Sequence, residues 1–589
     1  MDCSGVSVNS ASIDTPQRHQ NFQTNSATPV AGLNPTVFKV RLSPSTSTAV
    51  KSDIEIAQGT ELRPIEEIAR NIGLNFDDLV PYGKHVAKVP LEVIDRLGDQ
   101  PDGNLILVTA MTPPPKGAGK TTTTIGIGQA LSQLGHRAMI AVREPSLGPC
   151  MGMKGGAAGG GYSQVLPMED INLHFTGDLH AVTVAHNLCA AIVDNHLHQR
   201  ADPEIHPRRV VWKRVIDMND RALRHITIGM MGQGMHGVMR EDGFEITAAS
   251  EIMAILCLAD SLGDLKRRIG NIIVGYDSKR RPVTVREIGT EGAVTALLKN
   301  AINPNLVQTT EHTPAFVHGG PFANIAHGCN TLTATQMALK VSDYVITEAG
   351  FGADLGAEKF FHIKCRTGNL NPAAAVVVVP KWAYEVHGLA NLLKHVENIR
   401  AFNVPVLVSI NRYVNDQDEE LLEIKNACEA NGVEAAVTDF RESGGEGGLE
   451  LAAAIARVCK ASPHPKLQPL YPLEMPIAEK VKTVATQIYG AAKVEFSAVA
   501  KKAITQLENL GYGHLPVCMA KTPMSLTDDP KISGCPTHFT ITVTGVKVSA
   551  GAGFVVIYTG DVMTMPGLPK EPAALKIDID DDGVISGLF

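Results

Sequence analysis

The densest phosphate chemistry in this chain lies between Thr112 and Thr121, in the run Thr-Pro-Pro-Pro-Lys-Gly-Ala-Gly-Lys-Thr. Gly119, Lys120 and Thr121 match the close of the G-x-x-x-x-G-K-S/T phosphate loop, with Pro114 where the template has its first glycine. Gly117 and Gly119 let backbone amides approach phosphate oxygens, the helix that follows turns its N-terminal amides on them, and Lys120 neutralises the outer phosphates. Thr121 is placed to hold Mg²⁺. The plainer reading is a Pro-rich turn before a capped helix. Arg143 opens Arg-Glu-Pro-Ser-Leu-Gly, and its guanidinium suits a bidentate grip on an acyl phosphate. The plainer reading there is a surface ion pair with Glu144 or another acid. From Gly152 to Tyr162 glycine dominates, which is expensive to order and by itself reads as a flexible linker. A polar cluster follows, carrying Glu169, Asp170, His174, Asp178 and His180. Its spacing is no zinc motif; it suggests oxygen ligation of Mg²⁺ and orientation of a nucleophile. Asp178 and His180 are the candidates for orientation or proton handling.

These residues need a scaffold, and the flanking pattern supplies one. Asn104 to Ala110 is a compact apolar run after Asp102-Gly103 and reads as a buried strand. Thr121 to Leu134 has helical spacing and ends at Gly135, and Ala138 to Arg143 is a second short strand. Strand, loop, helix and strand at this spacing make a βαβ unit and a parallel sheet. Arg143 then leaves a strand's carboxyl end, where open α/β sheets bind ligands. Further buried strands are expected at His225 to Met230, Asn271 to Tyr276, Tyr344 to Thr347, Ala374 to Val379 and Val404 to Ile410. Helices are expected between Ile54 and Ile72, and Ala478 to Leu510 also has a helical pattern. His538 to Val548 and Gly553 to Tyr558 read as strands. Pro463, Pro465, Pro469 and Pro472 mark a linker. The expected fold is α/β: a P-loop NTPase-like, doubly wound, mainly parallel sheet with inserted and C-terminal smaller α/β domains.

Composition narrows the class. At 589 residues the chain exceeds one core, and 44% hydrophobic with 19% charged residues is ordinary for a globular protein. A net charge of -8 argues against nucleic acid as the partner. The 10 cysteines are scattered without a C-x-x-C pair, so neither a disulfide framework nor a zinc ribbon is expected. No apolar run is long enough for a membrane span. Residues 1–51 are rich in Ser, Thr, Asn and Gln and poor in acids, which predicts a disordered extension. A cytoplasmic location is expected, with organelle import the alternative that this Ser-rich start permits.

Several longer segments are similar to the formate–tetrahydrofolate ligase family. They are Arg143 to Gly148, the glycine run through Tyr162, Thr313 to Cys329, Thr347 to Lys359 and Met563 to Lys570. The resemblance runs from about Ser52 to Phe589 and is to the monofunctional form. It implies that formate attacks the γ-phosphate of Mg-ATP to give formyl phosphate, and that N10 of tetrahydrofolate then takes the formyl group. It implies ATP contacts at Pro114, Pro115, Lys116, Gly117, Ala118, Gly119, Lys120 and Thr121, with Lys120 on the transferring phosphate and Arg143 holding formyl phosphate. It implies pterin-stacking aromatics, here Tyr413 and Phe440, activation by a monovalent cation such as K⁺ or NH₄⁺, and a homotetramer. Residues 52–370 would then bind nucleotide and formyl phosphate, 371–462 folate, and 463–589 would form the C-terminal α/β domain.

The chain also departs from the family. Pro114 and Ala118 replace a Thr and a Glu of the family loop. Trp382 stands where Arg is usual and Glu385 where Lys is usual, and Glu571 replaces a basic residue. After Gly388 roughly twenty residues that the family carries are missing, a length that can form a functional element. Phe440 is one residue out of register with the second family aromatic, and Arg441 holds the gapless position. An active ligase is therefore weighed against a catalytically impaired paralogue that binds ATP or folate without turnover, and against a different P-loop ligase.

Overall fold

The structure, a computed structural model, describes residues 51–113, 117–152, 158–231, 233–462 and 465–588. The extension expected over 1–51 lies almost wholly outside the described residues, as do Pro114, Pro115 and Lys116 of the phosphate loop and the middle of the glycine run. Residues Lys51–Phe589 form one compact unit.

The heart of that unit is a set of parallel strands: β1 (Asn104–Ala110), β2 (Ala138–Val142), β3 (Pro314–Val317), β4 (Tyr344–Glu348), β5 (Ala374–Pro380), β6 (Val406–Asn411) and β7 (Ala435–Thr438). Their spatial order is β3-β2-β4-β1-β5-β6-β7, every neighbouring pair parallel. At the β3 side the sheet continues antiparallel through Asn305–Thr309. Strands buried on both faces should read as near-continuous apolar runs, and Ala-Ala-Val-Val-Val-Val-Pro in β5 does so, buried throughout. Successive residues feed opposite faces: Leu105, Leu107 and Val377 join one core cluster, Ile106, Val108 and Val378 another. Helices α1 (Lys120–Gln133) and α5 (Leu449–Ala461) cover the second face; α3 (Leu332–Val341) and α4 (Lys381–Arg400) cover the first. Helix α2 (Asp178–Gln199) belongs to a separate core with Trp212, Ile252 and Ile269.

The expected strands at 104, 138, 344, 374 and 404 are all members of this sheet. Two others are not. Ile226–Ile228 pairs with Arg240–Asp242, and Ile273–Tyr276 with Pro282–Thr284, in separate two-stranded sheets. Apolar runs this short cannot distinguish a central strand from a hairpin arm. The helical pattern from Ala478 to Leu510 resolves into Ile477–Gln487 and Ala498–Asn509 with a strand, Lys493–Phe496, between them. The strands expected after 538 form as Thr540–Val543, Gly545–Ser549 and Phe554–Tyr558. Val517 and Val555 of this C-terminal region share a core cluster with Leu105 and Val377 of the main sheet. Among the described residues no helix is long and apolar enough to cross a membrane.

Candidate active site

The order β2-β4-β1 brings three carboxyl ends side by side. β1 runs into the phosphate loop, β2 into Arg143, and β4 ends on Glu348 between them. Glu348 is buried, 1% exposed, and one carboxylate serves both neighbours. The Thr121 hydroxyl donates to its Oε2 at 2.8 Å, and Arg143 Nη2 donates to its Oε1 at 3.3 Å. Arg143 Nε is buried without a hydrogen-bond partner among the described residues, so the guanidinium retains donor capacity towards an anion. The ion pair weighed for Arg143 therefore exists, but with Glu348 rather than Glu144. In the sequence Glu348 stands inside the run Thr347 to Lys359 with no separate role. The signal that could have found it is an acid at the end of a buried strand that neighbours the strand of the phosphate loop.

Gly119 caps α1 at φ 73°, in the left-handed region. A Cβ there would meet Asn411 Nδ2 at 2.4 Å and the Tyr413 hydroxyl at 3.2 Å. Glycine is needed both for the turn and for this approach. The first turn of α1 carries no acid of its own and opens with Lys120 at the first helical position. Thr112, at the root of the loop, is pinned from α4. Asn391 Nδ2 donates to Thr112 Oγ1 at 3.0 Å and to the Gly534 carbonyl at 2.8 Å, and His395 Nε2 lies 2.9 Å from Thr112 Oγ1. Helix α4 is continuous except at Gly388, φ 74° and ψ 173°, where a single residue makes the connection.

Tyr413 follows β6 and Trp382 follows β5, the adjacent strand. Both are half-buried, and their rings stand edge to face, centroids 6.3 Å apart at 69°. Burial raises the Tyr413 hydroxyl pKa, so it stays protonated as a donor. Phe440 has a different setting. It is 0% exposed, and its ring lies against Gly126 of α1 and Gly448, where a Cβ would come within 2.1 and 2.0 Å of ring carbons. Protein therefore occupies the space a pterin would need beside Phe440, and Trp382 is the aromatic neighbour of Tyr413. Arg441, in the gapless register, pairs with Asp53 at 2.8 Å and accepts the Tyr162 amide on its carbonyl. Gly161, at φ 58°, closes the glycine run against that carbonyl, which a Cβ would meet at 1.9 Å. The described end of the run is thus packed closely against protein.

Asp178 and His180 share the first turn of α2 but not an environment. Asp178 is 2% exposed and spoken for: Lys88 Nζ is 2.8 Å from Oδ1, Asn305 Nδ2 donates to Oδ2 at 2.8 Å, and Thr176 adds a bond at 3.3 Å. A carboxylate so engaged anchors α2. His180 is exposed. The residue with the more unusual acid chemistry is Glu144, next to Arg143. It is 5% exposed, its Oε2 has no partner among the described residues, and burial together with Asp178 pushes its pKa well up. From the sequence alone Glu144 is only a possible partner for Arg143. Among the described residues no group of three or more His, Cys, Asp or Glu is placed to hold a metal ion, so the polar cluster from Glu169 to His180 does not converge as a ligand set.

The family model described as formate–tetrahydrofolate ligase matches residues 51–589, from the start of the described structure to the last residue. The chain belongs to the formate–tetrahydrofolate ligase family, the ATP-dependent enzymes that join formate to tetrahydrofolate, EC 6.3.4.3.

Proposed function

We propose that this chain makes 10-formyltetrahydrofolate from formate, tetrahydrofolate and Mg-ATP through formyl phosphate, on a P-loop NTPase-like fold. The observation that carries the proposal is Glu348 holding Thr121 and Arg143 at adjoining strand ends. Phosphoryl transfer relies on positioning and charge neutralisation, and these residues supply both. Pro114, Pro115, Lys116, Gly117, Ala118, Gly119, Lys120 and Thr121 cradle ATP, Lys120 on the phosphate in flight. Thr121 and Glu348 are oxygen ligands suited to the Mg²⁺ of Mg-ATP, which supplies charge neutralisation between the phosphates. A formate oxygen attacks the γ-phosphorus, ADP leaves, and Arg143 holds the resulting formyl phosphate. Tyr413 and Trp382 line the approach of the pterin, so that N10 attacks the formyl carbon and phosphate departs. Asp178 keeps α2 in place, and His180 has no assigned step.

The proposal extends to the coarser family traits: activation by K⁺ or NH₄⁺, a homotetramer, and a cytoplasmic location unless the first residues direct import. Residues 52–370 serve nucleotide and formyl phosphate, 371–462 folate, and 463–589 support. The second reading is an impaired paralogue, favoured by the single-residue connection at Gly388. One experiment separates them: formyltetrahydrofolate formation by the purified chain, each substrate omitted in turn. The ligase requires all three and loses product in Lys120→Ala and Arg143→Ala. A folded chain that binds ATP and makes no product is the paralogue.

A further inference from the structure

Outside the ligase site lies a space of about 580 Å³, lined by residues between 209 and 280 and by residues between 503 and 548. That volume is typical of small-molecule sites. Its charged lining is Arg209, Arg280 and Lys547 against Glu251, a cationic surplus in a chain of net charge -8. Trp212, Tyr276, Val546 and Val548 contribute aromatic and aliphatic lining. Neither Lys120, Thr121, Arg143, Glu348 nor Tyr413 borders it.

The charged groups are not equivalent. Arg209 is committed, donating to the Asp277 and Ser278 carbonyls at 2.7 and 2.8 Å. Glu251 is committed too, accepting from the Gly551 and Ala552 amides at 2.8 and 3.3 Å. Glu245, which borders the smaller inner cavity, accepts from Thr564 at 3.3 Å. Lys547 is different. It points from the strand Gly545–Ser549, remains solvent-accessible, borders both cavities, and makes no hydrogen bond or ion pair among the described residues. Burial opposes its charge, but Glu245, Tyr558 and Glu251 outweigh that and raise its pKa, so the ammonium is kept. The wall beside it is rigid: Trp212 stacks on His186 at 4.0 Å and donates its indole N–H to the His186 carbonyl at 3.2 Å. The exposed Lys547 ammonium can therefore meet a ligand anion without giving up an existing hydrogen bond, with aromatic and aliphatic lining beside it.

We propose that this cavity is a second small-molecule site that takes a compact organic carboxylate, with the carboxylate on Lys547 and the apolar body against Tyr276, Val546 and Val548. A bare inorganic anion would leave the walls unfilled, and a neutral analogue would leave the ammonium unmet.

The test is calorimetric titration of the full chain with benzoate, with benzamide and inorganic phosphate as the neutral and bodiless controls. Benzoate should bind saturably at one site. Lys547→Met should weaken it about tenfold or more, as expected from losing one charge-assisted hydrogen bond, and Lys547→Arg should retain it. Lys120→Ala should leave benzoate binding unchanged, which separates this site from the ligase site. Val546→Trp fills the space and keeps the lysine, so it should also abolish binding and keeps the test open if Lys547→Met does not fold. No saturable benzoate binding, equal binding of benzamide or phosphate, or unchanged benzoate binding in both Lys547→Met and Val546→Trp overturns the proposal.

Discussion

One carboxylate organises the candidate site at the scale of single residues. Glu348 accepts from Thr121 and from Arg143, so its loss should loosen the phosphate loop and the anion grip together. Glu348→Gln keeps the shape and removes the charge. It should lower kcat/KM for ATP about 100-fold, the usual scale for a residue that orients metal or phosphate ligands, and raise the Mg²⁺ concentration needed for half-activity. Steady-state kinetics across Mg²⁺ checks this; an unchanged Mg²⁺ requirement would contradict it. The two aromatics should separate cleanly. Tyr413→Ala should raise KM for tetrahydrofolate about tenfold with little change in KM for ATP, as expected from losing one stacking face. Phe440→Ala should instead destabilise the fold by about 3–5 kcal/mol, the usual range for a buried phenylalanine, with no selective effect on folate. Substrate titrations and denaturant melts of the two variants test the distinction.

At the scale of elements, the site is a consequence of strand order. β4 inserts between β1 and β2, so the loop after β1, Arg143 after β2 and Glu348 at the end of β4 meet at one edge. The βαβ reading from Asn104 to Arg143 anticipated β1, α1 and β2, because their apolar runs and glycine stops are local signals. It could not anticipate that β4 lies between β1 and β2, because pairing between strands some two hundred residues apart has no local signature. Glu348 was missed for that reason. Phe440 follows the same logic: sequence register offers an aromatic, but only packing reveals that Gly126 and Gly448 give up their side chains to make room for its ring. Trp382, noted as a departure, is half-buried beside Tyr413. The glycine run reads locally as a linker, yet Gly161 abuts the Arg441 carbonyl. Gly161→Ala should therefore destabilise the chain by about 1–3 kcal/mol, the scale of a non-glycine residue forced into a left-handed site. A thermal melt within experimental error of wild type would show that this close approach does not matter.

At the scale of the whole molecule, buried histidines couple stability to acid. Burial lowers His186 and His327 to about 3, and His318 and His395 to about 4, from an ordinary value of 6.5. The folded chain holds these rings neutral, whereas the unfolded chain protonates them first as pH falls. Their contribution is thus complete above pH 6.5 and is lost progressively as pH drops towards their folded values. Melting temperature should decline between about pH 6.5 and 5, and His395→Gln should make that decline shallower. A flat profile would contradict it.

The central claim is that formate is activated as formyl phosphate at the Thr121–Glu348–Arg143 site, and isotope transfer tests it most directly. If formate oxygen attacks the γ-phosphorus, and N10 then attacks the formyl carbon, the bridging oxygen leaves with phosphate. Turnover of ¹⁸O-labelled formate with Mg-ATP and tetrahydrofolate should therefore yield inorganic phosphate carrying one formate oxygen, and Arg143→Ala should suppress the labelled product. Formyltetrahydrofolate formed alongside unlabelled phosphate would contradict the account.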